Sequence, residues 1–172
     1  MPDPVNAPDP VGAASSDRKT PTVGGPGVAS EPRRIQRILL ATDLSAASEG
    51  AADEAIQLAS DLRAELLLVS VIDGGRGTTV EVPAQRMDQR RGAREVAAQA
   101  LVLRGRRAGV PISFLVWEGD PGPAIVEAAA AERVDLVVVG TRGRNRIERA
   151  VLGSVSDHVV RHAPCPVLVV RT

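Results

Sequence analysis

The sequence predicts an α/β fold, a three-layer αβα sandwich built around a five-stranded parallel sheet. Two observations carry that prediction. Short aliphatic runs recur without polar alternation, the pattern of strands buried on both faces, and Ala-rich stretches with apolar residues at helical spacing separate them. Strand and helix alternate until the last run, an order that packs as helices on both faces of one parallel sheet.

The first run is Arg37 to Ala41 (RILLA). A helix is expected from Ser45 to Leu62, where Ala52, Ala55, Ile56, Ala59 and Leu62 share one face and Ser45 is placed to cap the start. The second run, Glu65 to Val71 (ELLLVSV), is followed by the flexible loop Gly74 to Thr79 and a long helix, Ala84 to Ala108, that Gly109 and Pro111 close. The third run, Ile112 to Trp117 (ISFLVW), leads into a helix over Gly122 to Glu132, with Pro121 just before it. The fourth run, Leu136 to Val139, precedes a helix over Ser154 to His162, and Pro166 to Val170 (PVLVV) forms the fifth.

Ahead of this pattern, residues 1–32 hold seven of the 13 prolines and no apolar periodicity. Such a segment cannot bury enough surface to offset its ordering entropy, so a disordered tail is expected, followed by one domain over 33–172. The 21 basic and 21 acidic residues leave no net charge, which argues against duplex nucleic acid and anionic membranes as partners. Cys165 is the single cysteine, so no intramolecular disulfide can form. No basic-then-apolar leader opens the chain and no apolar segment approaches about 18 residues, so a soluble, cytoplasmic protein is expected. Lys19 is the only lysine beside many arginines, alanines and valines, a composition suggesting a GC-rich bacterial genome.

In an open α/β sheet a ligand sits outside the C-terminal strand ends, where the winding direction reverses. Two strand ends carry suitable residues: Ala41-Thr42-Asp43, and the stretch GTRGRNRIERAVLGS from Gly140 to Ser154. Gly140 and Gly143 are expected to turn the backbone with positive φ and aim amides at an anion. After the excursion Arg144 to Leu152, Gly153 and Ser154 open the last helix, with Ser154 as its N-cap. The first-turn amides of that helix lack intrahelical partners at the positive end of a macrodipole. Glycine and serine at strand–turn–helix junctions also serve geometry alone.

The full spacing, Gly-x2-Gly-x9-Gly-Ser, resembles the phosphate-binding signature of the ATP-binding branch of the universal stress protein family. The likeness extends over RILLATDLS (Arg37 to Ser45), VSVID (Val69 to Asp73) and APCPVLVVR (Ala163 to Arg171). It implies an adenine nucleotide alpha hydrolase-like sheet of order 3-2-1-4-5, which would set Asp43 and Gly140 on either side of one crevice. It implies ATP as ligand, with Mg²⁺ or Mn²⁺ carried by the nucleotide. Asp43 would meet the ribose hydroxyls or the adenine amino group, and Val71 would meet adenine through its backbone. Ala41 would line the pocket where some relatives have proline, and Val139 would wall the base. Gly140, Gly143, Gly153 and Ser154 would hold phosphates, with Val155 and Ser156 adding first-turn groups. Arg142 stands where histidine is frequent in the family. Arg142 or Arg144 could pair with a β or γ phosphate, or both could belong, with Arg146, to a solvated basic loop balanced by Glu148. The resemblance further implies a homodimer through strand 166–170 and a nucleotide-dependent switch or sensor acting on a protein partner.

Other chemistries find less support. There is no Gly-x4-Gly-Lys-Ser/Thr loop and no lysine in the folded part, and no Gly-x-Ser-x-Gly elbow. Slow ATP hydrolysis or autophosphorylation on Ser154 or Ser156, and a nucleotide-free dimerising scaffold, are the alternatives. No structural metal is indicated. His162, near a helix end, suits the helix dipole, and Cys165 reads as a small buried hydrophobe. Asp73, Asp120 and Asp135 fall at boundaries where caps and turns explain them. Arg86 to Arg94 reads as the solvated face of the long helix, and Phe114 and Trp117 as core residues on opposite strand faces.

Overall fold

The computed structural model describes residues 34–73, 84–141 and 152–171. The tail expected over 1–32, the glycine-rich loop and the excursion from Arg144 lie outside the described residues, apart from Leu152. Five strands, β1 (Arg37–Ala41), β2 (Glu65–Ile72), β3 (Ile112–Glu118), β4 (Leu136–Gly140) and β5 (Val167–Val170), form one sheet in the order β3-β2-β1-β4-β5. All neighbours run parallel. The helices are α1 (Glu49–Leu62), α2 (Ala84–Arg107), α3 (Pro121–Ala131) and α4 (Ser154–His162). The α/β sandwich and its implied strand order are therefore present.

Strand parity divides the core into two layers. Ile38, Leu40, Leu66, Leu68, Ile112, Leu136 and Val138 pack with the small inner faces of α1 and α2. Leu39, Leu67, Val69, Val137 and Val139 point the other way, onto α3 and α4. β1, β2 and β4 are buried on both faces, which is why their sequences run apolar without alternation. Because α1 and α2 cover one face and α3 and α4 the other, the winding reverses between β1 and β4. Asp135 fixes that pair at its start: its Oδ2 accepts from the amides of Gln36 (2.9 Å) and Arg37 (3.1 Å).

Several local expectations shift. Ser45 does not cap α1; a 3₁₀ turn, Ala46–Ser48, intervenes, and the Ser45 hydroxyl turns back to Asp43 Oδ1 at 2.7 Å. Gly153 is the N-cap of α4 and Ser154 is its first helical residue, with no side-chain capping bond. Leu62 is partly exposed at the end of α1, while Ala51 joins the buried face. Phe114 packs against the first core layer, but Trp117 stays 37% exposed among the described residues, on β3, an edge strand of the sheet. Gly109 ends α2 in the left-handed region, φ 76°. His162 lies in the last turn of α4, its Nδ1 2.8 Å from the His158 carbonyl and its ring stacked on His158 at 4.2 Å. Among the described residues no helix is long and apolar enough to cross a membrane.

α3 and α4 meet where Gly122 lies under the His158 ring. A Cβ on Gly122 would stand 2.9 Å from His158 Cγ and 3.0 Å from its Cβ, atoms close to the backbone that cannot swing aside. Gly122→Ala is expected to lose about 1–3 kcal/mol of unfolding free energy through overpacking, read from denaturant unfolding. Adding His158→Ala, which removes Cγ but keeps Cβ, should recover part of that loss, since the two changes share one contact; an additive loss would refute the clash.

Candidate functional site

The strand ends at the reversal carry the candidate site. Parallel neighbours lie about 4.8 Å apart, and Ala41 stands opposite Val139 in the register of β1 with β4. Asp43 and Gly140 therefore leave adjacent strands at the same end of the sheet. Ala41, Val71 and Val139 belong to one core layer, and Val139 is only 2% exposed. Their side chains are packed inward and give this end an apolar base.

The turn after β1 is tied by its own hydroxyls. Thr42 still extends the ladder, its amide donating to the Val69 carbonyl at 3.1 Å. Its Oγ1 lies 2.8 Å from Ser48 Oγ and accepts from the Leu44 amide at 3.0 Å. Leu44 is thereby held at φ 56°, a left-handed conformation that leucine rarely adopts. That twist turns Ser45 onto the Asp43 carboxylate, whose Oδ1 accepts the Ser45 amide at 3.1 Å and its hydroxyl at 2.7 Å. The second oxygen, Oδ2, is buried with no hydrogen-bond partner among the described residues. Burial pushes the Asp43 pKa up, but the hydroxyl and amide of Ser45, the Ser48 hydroxyl and the charge of Arg94 outweigh it, and the net shift is downward. Asp43 is an anion with one oxygen committed and one open.

On the neighbouring strand, Gly140 is the last residue of β4, paired with Val170, and its φ is not positive, so the expected left-handed turn does not begin there. The Thr141 amide continues the ladder to the Val170 carbonyl at 2.8 Å, and the Thr141 carbonyl accepts the Gly153 amide at 3.2 Å. Ser156 is buried, and its hydroxyl donates to the Gly140 carbonyl at 2.7 Å. These two bonds bring the start of α4 back to the end of β4. The first intrahelical bond runs from the Asp157 amide to the Gly153 carbonyl, 2.8 Å, leaving the amides of Ser154, Val155 and Ser156 without i−4 acceptors. Arg142 and Gly143 lie outside the described residues.

One residue at this end was not anticipated. Arg94, placed by sequence on a solvated face, is half-buried, and its Nη1 donates to the Asp43 carbonyl at 2.5 Å and to Ser70 Oγ at 2.6 Å. The signal was available: Arg94 precedes Ala98, Leu101 and Gly105 at spacings of four, three and four, the buried stripe of α2. The other charges nearby, Glu49, Arg104 and Arg107, line a groove of about 570 Å³ between α1 and α2. A larger concavity, about 630 Å³, lies at the opposite end of the sheet among Arg34, Arg37, Arg63, Glu132, Arg133 and Asp135. Size does not favour it. It lies beside the C-terminal ends of α1 and α3, where arginines complement exposed carbonyls without any ligand, and Arg37 is bound to Glu132 at 2.9 Å. Among the described residues no cluster of three or more metal-ligating side chains occurs.

Comparison with known proteins agrees with the fold. A sequence model described as the universal stress protein family matches residues 34–171. The chain is 39% identical over 140 residues to a universal stress protein of Staphylococcus haemolyticus, covering 80% of this chain and 85% of that one. It is 35% identical over 147 residues to one from Methanocaldococcus jannaschii, covering 79% and 82%. Among solved structures, the universal stress protein UspA of Lactobacillus plantarum superposes with a TM-score of 0.69 at 28% identity, over 81% of this chain and all of that one. A universal stress protein in complex with cAMP superposes with a TM-score of 0.61, also at 28% identity, over 80% and 98%.

Because the folded pKa of Asp43 lies below its ordinary 3.8, its ionisation stabilises the fold above that value, and the contribution is lost as pH falls through the folded pKa. Unfolding of the parent and of Asp43→Asn, compared from pH 6 down to about pH 2, should therefore show the parent losing stability relative to the variant only below the ordinary aspartate range. Parallel curves across that window would contradict the shift.

Proposed function

This chain belongs to the universal stress protein family, and on that premise we propose that it binds adenine nucleotide, ATP foremost, as a regulatory switch or sensor acting through a protein partner. One observation carries the reading: Asp43 Oδ2 is a buried acceptor with no donor among the described residues. A buried carboxylate oxygen left without a hydrogen bond is costly, and a ribose hydroxyl or the adenine amino group supplies the missing donor. A neutral or positively charged partner is required there, so the phosphates belong on the other strand end.

There the amides of Ser154, Val155 and Ser156, which have no i−4 acceptors within the helix, suit an anion at a helix N-terminus. The Ser156 hydroxyl is engaged by Gly140 and the Gly153 amide by Thr141, so in this reading Ser156 contributes its amide and Gly153 contributes the absence of a side chain. Ser154, exposed at the first helical position, can offer both amide and hydroxyl. Arg142 and Gly143 complete the phosphate loop, and Ala41, Val71, Val139 and the backbone of Gly140 frame the base. Mg²⁺ or Mn²⁺ would arrive with the nucleotide. Support for a nucleotide comes from the related structure that carries cAMP, at 28% identity.

The reading extends to assembly and place. β5 is an edge strand whose four residues, Val167–Val170, are all only partly buried. An unpaired apolar edge favours pairing with another strand, and a second copy of the same chain, giving a homodimer in the cytoplasm, is the proposed partner.

Freshly purified protein, denatured and analysed by mass spectrometry, should release an adenine nucleotide, and calorimetric titration should give tighter binding of ATP than of GTP. At Gly153, with φ −63°, an added Cβ meets nothing closer among the described residues than the Thr141 oxygen at 3.4 Å, an ordinary contact. Gly153→Ala is thus expected to keep the fold while weakening ATP binding by about tenfold, or ~1.4 kcal/mol. No bound nucleotide and no ATP affinity, with Gly143→Val and Gly153→Val indistinguishable from the parent, would sink the proposal.

A further inference from the structure

We infer that Arg94 is the positioning residue of this site: from α2 it clamps the Asp43 peptide to β2 and so sets the direction in which the Asp43 carboxylate meets the nucleoside. The inference rests on the nucleotide reading above for what the carboxylate meets, and on the geometry alone for the clamp.

The Nη1 nitrogen of a guanidinium carries two hydrogens fixed in a plane. Arg94 directs Nη1 at the Asp43 carbonyl, 2.5 Å, and at the Ser70 hydroxyl, 2.6 Å. Ser70 is 0% exposed on β2, one strand away from Asp43, so one end of the clamp is anchored in the interior of the sheet. Arg94 itself continues the buried stripe of Ala98, Leu101 and Gly105, and its position follows from the packing of α2.

The choice of atom is what distinguishes positioning from simple charge pairing. A guanidinium seated on the carboxylate would consume the oxygens a ligand needs. Here the carbonyl is gripped, Oδ1 is held by Ser45, and Oδ2 has no partner among the described residues. Arg94 therefore orients the residue while leaving Oδ2 open. A lysine could supply the charge but not the planar pair of donors. The clamp also braces the segment containing Leu44, whose left-handed backbone needs its neighbours to persist.

The test uses the full chain with Arg94→Met, Arg94→Lys and Ser70→Ala. In nucleotide-free protein, carboxyl-carbon NMR of Asp43 should show Arg94→Met titrating at higher pH than the parent, with Arg94→Lys between them. By calorimetry, Arg94→Met should weaken ATP by about tenfold, Ser70→Ala by less, and Arg94→Lys should recover part of the loss. In an Asp43→Asn background the same change at Arg94 should cost no more than about twofold, since both act through one group. A parent-like titration together with parent-like ATP affinity in Arg94→Met would overturn the inference. So would a loss of affinity that persists in full in the Asp43→Asn background. If Arg94→Met does not fold, Ser70→Ala and Arg94→Lys decide by the same readouts. If the parent binds no ATP, the nucleotide reading fails by itself, and the Asp43 titration alone upholds or overturns the clamp.

Discussion

The pairing of β1 with β4 is the constraint on which the rest of this molecule depends. It is the seam where the winding of the sheet reverses, and both strands are buried on both faces. At one end Asp135 holds the seam through two backbone amides. At the other, among the described residues, no helix crosses directly over the seam, because α1 packs on one face and α4 on the other. Asp43 and the start of α4 emerge at that end. Their opposed electrostatics, an ionised carboxylate after β1 and first-turn amides of α4 without i−4 acceptors, follow from topology before any ligand is considered.

A second layer of organisation keeps that end rigid. Thr42, Ser45 and Ser48 use short side chains to fix the turn after β1, and Ser156 and Gly153 tie α4 back to β4. The two sets of bonds consume hydroxyls and one amide that might otherwise be assigned to a ligand. Among the described residues they leave over Asp43 Oδ2, the exposed Ser154 side chain and the first-turn amides of α4. Such a division suits a donor at one strand end and an anion at the other, the arrangement of groups in the nucleoside phosphate proposed as ligand.

The fold was legible because burial on both faces writes itself as uninterrupted aliphatic sequence, and RILLA, ELLLVSV and LVVV needed no more than that. Edge strands are written less clearly. Trp117 reads as core by residue type, yet β3 has no outer neighbour to cover it. Caps were displaced by a residue or more, at Ser154 and at Ser45, since a serine hydroxyl can serve a helix end or a nearby carboxylate equally well, and sequence does not distinguish them. Gly140 ends a strand where a left-handed turn was expected, because glycine marks close approach as readily as positive φ. Arg94 illustrates the opposite failure. Its spacing put it on the buried stripe, but its charge argued for solvent, and only the partners at Asp43 and Ser70 explain why the spacing prevailed.

The proposed adenine-nucleotide site lies at the C-terminal end of the β1–β4 seam. Backbone amide NMR of the isotope-labelled protein during an ATP titration tests it most directly, because it reports both ends of the sheet in one experiment. Saturable shifts are expected at Asp43, Val71 and the Ser154, Val155 and Ser156 amides, with the opposite end silent. Shifts centred instead on Arg34, Arg63 and Arg133, around the larger concavity at the other end, or no saturable shift at any residue, would contradict it.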